Sequence, residues 1–436
     1  MVCRLVLMKA RPEAAHICAY HARLGTFTPE RALGYLIRYR KKQEDLSQYV
    51  FSDTTQQMIF RSFRTCLLKP RGLAVSKQSL TFAVLALLLS ACAAPKAQFA
   101  YYTAETADGL SVSVLAATPR EPVDDPSLRF NGGRHQELSF AEIDVWIPRD
   151  RKPGTIKLPS DNPDPASEFG VTGLKEIDTD REALQTINRK LRDLPAGERN
   201  IFIFVHGYNV SYVSGVYRHA QMLHDFGQSA VGLHYSWPSA AKTSAYLYDR
   251  DSVQFARDGL QQTIEMAASS DADSVAVVAH SMGTLLTMEA IRQLSLSGKK
   301  SALRRISPLI LASPDIDEDV FGSQIAVIDP KPDPFVILAS RRDKALKFSR
   351  DLRGGTPRVG QGESVEELQN LGITVIDLTE ISDSQDRASH ATFANSPTLI
   401  GLIQSGAISP ETLPDDNATF ASRVGDNLAD ILYLGN

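Results

Sequence analysis

The stretch that constrains this chain most is residues 275–286, which read VAVVAHSMGTLL. Apolar and small residues run straight into Ser281, and a helical pattern continues over residues 284–294. A strand, a sharp turn with a serine and a helix make up a nucleophile elbow, usually written G-x-S-x-G. Ala279 stands where that motif has its first glycine. The stretch alone is therefore equally compatible with a buried strand and a following helix that the serine caps.

Apolar runs typical of strands alternate with helical patterns over most of the chain. The predicted strands are residues 110–116, 140–148, 200–205, 230–236, 274–279, 307–312, 335–340 and 373–378. The predicted helices include residues 180–194, 210–227 and 251–268, the last with Asp251 as its N-cap. Residues 149–170, rich in proline and aspartate, are predicted to be loop. This alternation predicts an α/β fold with a doubly wound, mostly parallel sheet.

Polar residues follow the predicted strands at the ends where an open parallel sheet places its chemistry. They are His206, Trp237, Ser281, Asp315, Asp343 and His390. A serine hydroxyl becomes a good nucleophile only when a base takes its proton, and that base is usually an imidazole oriented by a carboxylate. His390 is the only one of nine histidines after Ser281 and follows the last predicted strand. We therefore expect it to be the base rather than a solvated surface residue.

The carboxylate that orients the base is expected between the serine and the histidine in the chain. Asp343 follows the penultimate predicted strand and is the expected acid, although a surface ion pair or a helix cap would also explain it. Asp315, after the preceding strand, is the alternative acid, and Asp317 and Asp377 are further candidates.

Two backbone N–H groups are expected to hold the oxyanion of a tetrahedral intermediate. One belongs to Met282, directly after the candidate nucleophile, and the other to Tyr208, in the loop after residues 200–205. His206 and His280 stand beside these positions, and we expect structural roles for both rather than a second base.

Seven short motifs of the chain resemble, in the same order, those of a bacterial family of α/β-hydrolase-fold proteins. They are FVHGYNVSY, YSWPS, YDRDS, AHSMG, LASPDIDEDVF, SRRDKAL and SHATFANSP. The resemblance covers roughly residues 140–403, and the family is catalogued mainly as a domain of unknown function. It implies an α/β-hydrolase fold and a serine triad at Ser281, Asp343 and His390, but says little about the substrate.

An export signal is predicted within the chain. Residues 80–91 read LTFAVLALLLSA, follow Lys77 and precede Cys92. This apolar run of about 12 residues is too short for a bilayer, which takes about 20, but fits a secretory signal. An internal core segment is the alternative. The residues LSAC that end at Cys92 also resemble the lipobox of bacterial lipoproteins. That resemblance implies acylation of Cys92 and anchoring in the cell envelope, at the periplasmic face of the outer membrane.

The expected domain organisation follows from this signal, which would occupy residues 75–92. Residues 1–74, in which basic residues outnumber acidic ones, are interpreted as a mis-annotated extension or a genuine basic N-terminal extension. Residues 93–138 are expected to form a linker with an early strand, residues 139–405 the α/β-hydrolase domain, and residues 406–436 a C-terminal tail.

The function that these patterns favour is serine hydrolysis of a carboxylic ester or thioester through an acyl-enzyme, on a small-molecule or lipid substrate. An amide substrate stays open because the triad does not fix the leaving group. The alternative is a non-catalytic α/β-hydrolase-fold lipoprotein that acts as a binding or scaffold module. A net charge of −4 gives no sign of nucleic-acid binding. Neither an H-E-x-x-H motif nor paired cysteines indicate a metal, no cofactor is expected, and the oligomeric state is left open.

Overall fold

The computed structural model describes residues 97–103, 109–384, 386 and 388–405. All of these residues belong to one compact unit, Pro95–Asn436. The predictions for residues 1–92, which include the signal, Cys92 and the basic extension, lie outside the described residues, as does the predicted tail at 406–436. No helix among the described residues is both long and apolar enough to cross a membrane.

Nine strands in the described part of the chain form one sheet, in the order β3-β2-β1-β5-β4-β6-β7-β8-β9. They are β1 (Gly109–Pro122), β2 (Phe130–Pro148), β3 (Gly170–Ile177), β4 (Asn200–Val205), β5 (Ala230–Tyr235), β6 (Ser274–His280), β7 (Ile306–Ala312), β8 (Phe335–Ala339) and β9 (Thr374–Asp377). Only β2 is antiparallel to its neighbours, β1 and β3, and every other pair is parallel. The predicted mostly parallel sheet is confirmed.

Helices cover both faces of the sheet. They are α1 (Asp180–Arg192), α2 (Tyr212–Asp225), α3 (Tyr246–Ala268), α4 (Met282–Leu296), α5 (Lys300–Arg305), α6 (Glu318–Ile325), α7 (Lys344–Leu352), α8 (Val365–Asn370), α9 (Thr392–Asn395) and α10 (Pro397–Gln404). One core contains apolar residues of α1, α3 and α4, and the other contains residues of α2, α9 and α10. In β4, Ile203 faces the first core and Phe204 the second, which explains why every residue of this strand after Asn200 is apolar.

The N-terminal part of the sheet is larger than its sequence indicates. The early strand predicted at 110–116 runs from Gly109 to Pro122, and Gly132 and Gly133, a residue type frequent in turns, lie inside β2. The register of β1 on β2 shifts twice after Thr118, so the two strands stay paired through irregular positions that tolerate proline and glycine. The sheet thus begins well before residue 139, and β3 is a strand that the sequence did not predict.

The start of α3 also differs from the prediction. Asp251 is not its N-cap, because the helix already begins at Tyr246. The carboxylate of Asp249, in the first helical turn, instead accepts hydrogen bonds from Ala240 N at 2.7 Å and from Ser239 Oγ at 2.6 Å. These bonds hold the preceding loop against the helix. The helix therefore begins more than one turn before the predicted cap.

Candidate active site

Ser281 lies at a sharp turn between β6 and α4. Its backbone has φ 53° and ψ −125°, a strained conformation that non-glycine residues seldom adopt. Its side chain makes no capping hydrogen bond to α4. Ser281 therefore does not cap the helix, which was the other interpretation of this stretch. Its backbone has the geometry of a nucleophile elbow.

Two glycines allow the chain to pass close to this turn. A Cβ atom at Gly283 would overlap the backbone oxygen of His206 and lie 2.8 Å from that of Val205. A Cβ atom at Gly207 would lie 2.9 Å from the Cβ atom of Ser281. The loop after β4 consequently touches the elbow, and a side chain at either glycine would push the two apart.

Asp343 and His390 come together at the same edge of the sheet. His390 Nδ1 lies 2.7 Å from Oδ2 of the buried Asp343 carboxylate. The other carboxylate oxygen, Oδ1, accepts the N–H of Leu346 at 2.9 Å and caps α7. Asp343 thus caps the helix and pairs with the imidazole at the same time, and the bond to the helix fixes the position of its carboxylate.

The surroundings of His390 act on its pKa in opposite directions. Burial lowers the pKa of the imidazole, whereas the hydrogen bond to Asp343 and the negative charge of that carboxylate raise it. Asp315 and Asp386 add smaller contributions in the same upward direction. The net result is a pKa raised above the ordinary 6.5.

The loop that bears His390 is fixed from both sides. The carboxylate of Asp386 accepts the backbone N–H groups of His390 at 2.7 Å and of Ala391 at 2.8 Å. The carbonyl of His390 lies 3.1 Å from Nε2 of His280 and accepts the hydroxyl of Ser313 at 3.0 Å. Burial holds the pKa of His280 well below 6.5, so its neutral ring donates through Nε2. These bonds tie His390 to the residue that precedes Ser281.

The alternative acid Asp315 is held away from the imidazole. Its carboxylate accepts the hydroxyl of Tyr246 at 2.9 Å and that of Ser349 at 2.6 Å, and Arg358 Nε lies 3.6 Å from it. Both carboxylate oxygens of Asp315 are thus engaged in a buried polar cluster, which indicates a structural role for this residue.

The two remaining candidate acids also have other partners. Asp317 caps α6 by accepting the N–H groups of Asp319 and Val320. Asp377 pairs with Arg341 at 2.8 Å on the exposed edge of β9. Of the four aspartates considered from the sequence, Asp343 is the one that the structure brings to His390.

The backbone N–H groups expected to hold an oxyanion flank the elbow. Met282 is the first residue of α4, so its N–H has no acceptor within the helix and lies at the positive end of the helix dipole. Tyr208 follows Gly207 in the loop that touches Ser281, and its N–H has no acceptor among the described residues. The Tyr208 hydroxyl bonds the carbonyl of Thr243, which anchors the loop.

A buried arginine, which the sequence did not indicate, supports this loop. Arg120 Nη2 donates to Val210 O at 2.8 Å and lies 3.3 Å from His206 Nε2. Burial, with a smaller effect of the Arg120 charge, lowers the pKa of His206 to about 3, so its imidazole is neutral. Because the Arg120 guanidinium can only donate, Nε2 of His206 must accept its hydrogen bond. The ring proton of His206 therefore resides on Nδ1, which lies 2.8 Å from Gly207 O.

A second carbonyl, Trp237 O, lies 3.1 Å from Nε2 of His206 but accepts its hydrogen bond from the Ser239 N–H.

The consequence of this tautomer concerns the peptide between Gly207 and Tyr208. The carbonyl and the N–H of one planar peptide point in opposite directions. By binding Gly207 O, His206 fixes the direction of the Tyr208 N–H. Sequence patterns could not reveal Arg120, because it acts on a loop that is distant in the chain. They could not reveal Asp386 either, because it acts within a loop without regular structure.

The chemistry available to this site is acyl transfer. A serine at an elbow, an imidazole paired with a carboxylate, and free N–H donors are the groups that such a reaction needs. Within the part of the chain that the structure describes, no group of three or more His, Cys, Asp or Glu side chains is arranged to hold a metal ion.

Comparison with solved structures finds distant likenesses. The chain is similar to a dienelactone hydrolase from Anabaena variabilis ATCC 29413 over 69% of this chain and 94% of that one, with 10% identity and a TM-score of 0.32. It is also similar to esterase 2 of Thermogutta terrifontis over 61% and 87% of the two chains, with 11% identity and a TM-score of 0.30. No curated protein matches the sequence.

A family comparison is more informative. The model of one family, described as alpha/beta hydrolase of unknown function (DUF900), matches residues 180–406. This match includes the elbow, Asp343 and His390, and it extends over more than half of the 436 residues. Together with the mostly parallel, helix-covered sheet, it identifies the chain as a member of the DUF900 family of α/β-hydrolases.

Proposed function

We propose that this chain is a serine hydrolase that cleaves carboxylic ester or thioester bonds. The observation that carries the proposal is the 2.7 Å hydrogen bond between Asp343 and His390, in a loop tied to the residue beside the strained Ser281. The fold alone would not support it, since the same fold serves unrelated functions.

In the proposed mechanism, His390 Nε2 takes the proton of the Ser281 hydroxyl as the oxygen attacks the ester carbonyl. Asp343 keeps the other ring nitrogen protonated and stabilises the imidazolium that forms. The N–H groups of Met282 and Tyr208 hold the negative oxygen of the tetrahedral intermediate. The imidazolium then gives its proton to the departing alcohol or thiol, and water releases the acyl group by the reverse sequence of proton transfers.

The pH dependence of activity tests the assigned base. Hydrolysis of p-nitrophenyl butyrate should rise with pH, because only the neutral imidazole of His390 can accept the serine proton. Since Asp343 raises the pKa of His390 above 6.5, the acid limb of kcat/KM should have its midpoint above that value. In Asp343→Asn the residual activity should have a lower midpoint, because the hydrogen bond and charge that raise the pKa are removed. A pH-independent rate from pH 5 to 9 would contradict the assignment.

We also propose that the protein is tethered to the cell envelope through an acylated Cys92, on the grounds of the apolar run at 80–91 and the LSAC sequence that ends at Cys92. Expressed in a bacterial host, the protein should fractionate with membranes and incorporate labelled palmitate. Cys92→Ser should abolish the labelling. Persistent labelling of that variant would rule out the lipobox interpretation.

A further inference from the structure

A cavity of about 360 Å³ lies beside the candidate active site. It is bounded by the loop after β4, the first turns of α2 and the His390 loop. Its lining includes Gly207, which touches Ser281, His280, which precedes that serine, and Ala391, which follows the candidate base. The cavity is thus bordered by the chain neighbours of Ser281 and His390 rather than by these two side chains themselves. Its volume is within the range of about 300–1,000 Å³ typical of small-molecule pockets.

Most of the remaining lining of this cavity is apolar. The apolar side chains are those of Ile156, Leu158, Phe204, Val210, Phe393 and Ala394, and the polar ones besides Arg218 are those of His206, Asn209 and Ser214. Such a surface suits the methylene chain of an acyl group, because burying the chain removes apolar area from water.

One cation also lines the cavity. Arg218, on α2, uses Nη1 to donate to Gln221 Oε1 at 2.6 Å and, more weakly, to Gly154 O at 3.3 Å and Ala394 O at 3.5 Å. Its Nε and Nη2 atoms have no hydrogen-bond acceptor in the described part of the chain. Burial lowers the pKa of Arg218 to about 10, so the guanidinium still carries its charge at neutral pH.

No carboxylate in the described ranges forms an ion pair with Arg218, although the charges of Asp225 and Asp386 act on it from a greater distance and raise its pKa. Asp225, about two turns further along α2, pairs instead with Arg151, and its oxygens also accept hydrogen bonds from Gln221 Nε2 and the Gly154 N–H. No acidic side chain among the described residues lies within ion-pair distance of the Arg218 guanidinium. A half-buried cation with unused donors at the wall of a largely apolar cavity is stabilised when an anion binds there.

We propose that this cavity is the acyl pocket and that it accepts acyl groups ending in a carboxylate, which binds Arg218. The inference rests on the proposed function, since it names the substrate class of the same site. The reaction is hydrolysis of a dicarboxylic acid monoester. Water supplies the hydroxyl for the new carboxylate and the proton for the departing alcohol, and the distal carboxylate is unchanged.

The test compares two esters of matched shape in the same enzyme. One is the p-nitrophenyl monoester of adipic acid, and the other is p-nitrophenyl 6-methylheptanoate, in which an isopropyl group replaces the carboxylate. The wild type should have the higher kcat/KM for the adipate ester. Arg218→Met should reduce the ratio of the two kcat/KM values about tenfold or more, the effect expected when a hydrogen-bonded charge loses its partner. Arg218→Lys, which keeps the charge, should retain part of the preference.

Because the ratio compares two substrates within one variant, any general loss of activity cancels. Arg189→Met is the matched control, since Arg189 is an exposed arginine of α1 that pairs with Glu142, and its ratio should equal that of the wild type. A wild type without preference for the adipate ester overturns the inference whether or not the variants fold, as does an unchanged ratio in Arg218→Met. If the wild type hydrolyses neither ester, that result counts against the proposed function itself.

Discussion

Alanine at Ser281 or at His390 is expected to remove nearly all of the proposed esterase activity, with each single change lowering kcat by about 10⁶-fold, as in serine proteases whose triad residues were removed singly. The expectation rests on the elbow geometry of Ser281 and on the bonds that hold the His390 loop to His280. The double variant should lose little more than either single one, because a nucleophile without its base and a base without its nucleophile fail at the same step.

The measurement is hydrolysis of p-nitrophenyl butyrate by the three variants, with thermal melts alongside. His280→Gln serves as a neighbouring control. It keeps a donor near the His390 carbonyl, so we expect a far smaller loss than in His390→Ala. Full activity in His390→Ala would exclude this base, and losses that simply multiply in the double variant would show that the two residues act independently.

Asparagine at Asp343 is expected to lower kcat by about 10⁴-fold, the loss that the same change causes in a serine protease. The asparagine amide can present N–H to His390 Nδ1, which would place the imidazole proton on the wrong nitrogen. The fold should survive, because asparagine also caps helices and its oxygen can still accept the Leu346 N–H.

Asp315→Asn is the matched comparison for Asp343→Asn. Its carboxylate bonds Tyr246 and Ser349 and faces Arg358, so the change should lower the melting temperature while leaving kcat within about tenfold of the wild type. Kinetics on p-nitrophenyl butyrate and thermal melts of both variants decide the matter. If Asp315→Asn lost the greater part of kcat and Asp343→Asn did not, the acid would lie one strand earlier.

The features that the sequence revealed are those encoded locally. The elbow is a continuous apolar run, a serine and a small residue, and each of these is visible within residues 275–286. His390 was found because it is the only histidine after Ser281, and Asp343 because it follows a recognisable strand. Their proximity follows from the topology, since β6, β7, β8 and β9 are adjacent, parallel strands whose ends share one edge.

The features that the sequence did not reveal depend on contacts between distant segments. β3 becomes a strand by pairing with β2, and the glycines at 132–133 stay extended because β1 lies alongside. Arg120 comes from β1 and acts on a loop about ninety residues later in the chain. Arg218 lies within an unremarkable helical pattern, and only the cavity beside it distinguishes it from a surface arginine. No local pattern encodes such relations.

The central claim is that Ser281 is an activated nucleophile, and labelling with a fluorophosphonate tests it without assuming a substrate. The probe reacts with a serine whose proton is taken by a base and whose oxyanion is stabilised. Protein truncated before Cys92 should be labelled in the native state and not after heat denaturation. Peptide mass spectrometry should place the adduct on Ser281, and Ser281→Ala should remain unlabelled. No labelling of the native wild type, or an adduct on another serine, would contradict the account and favour a non-catalytic binding module.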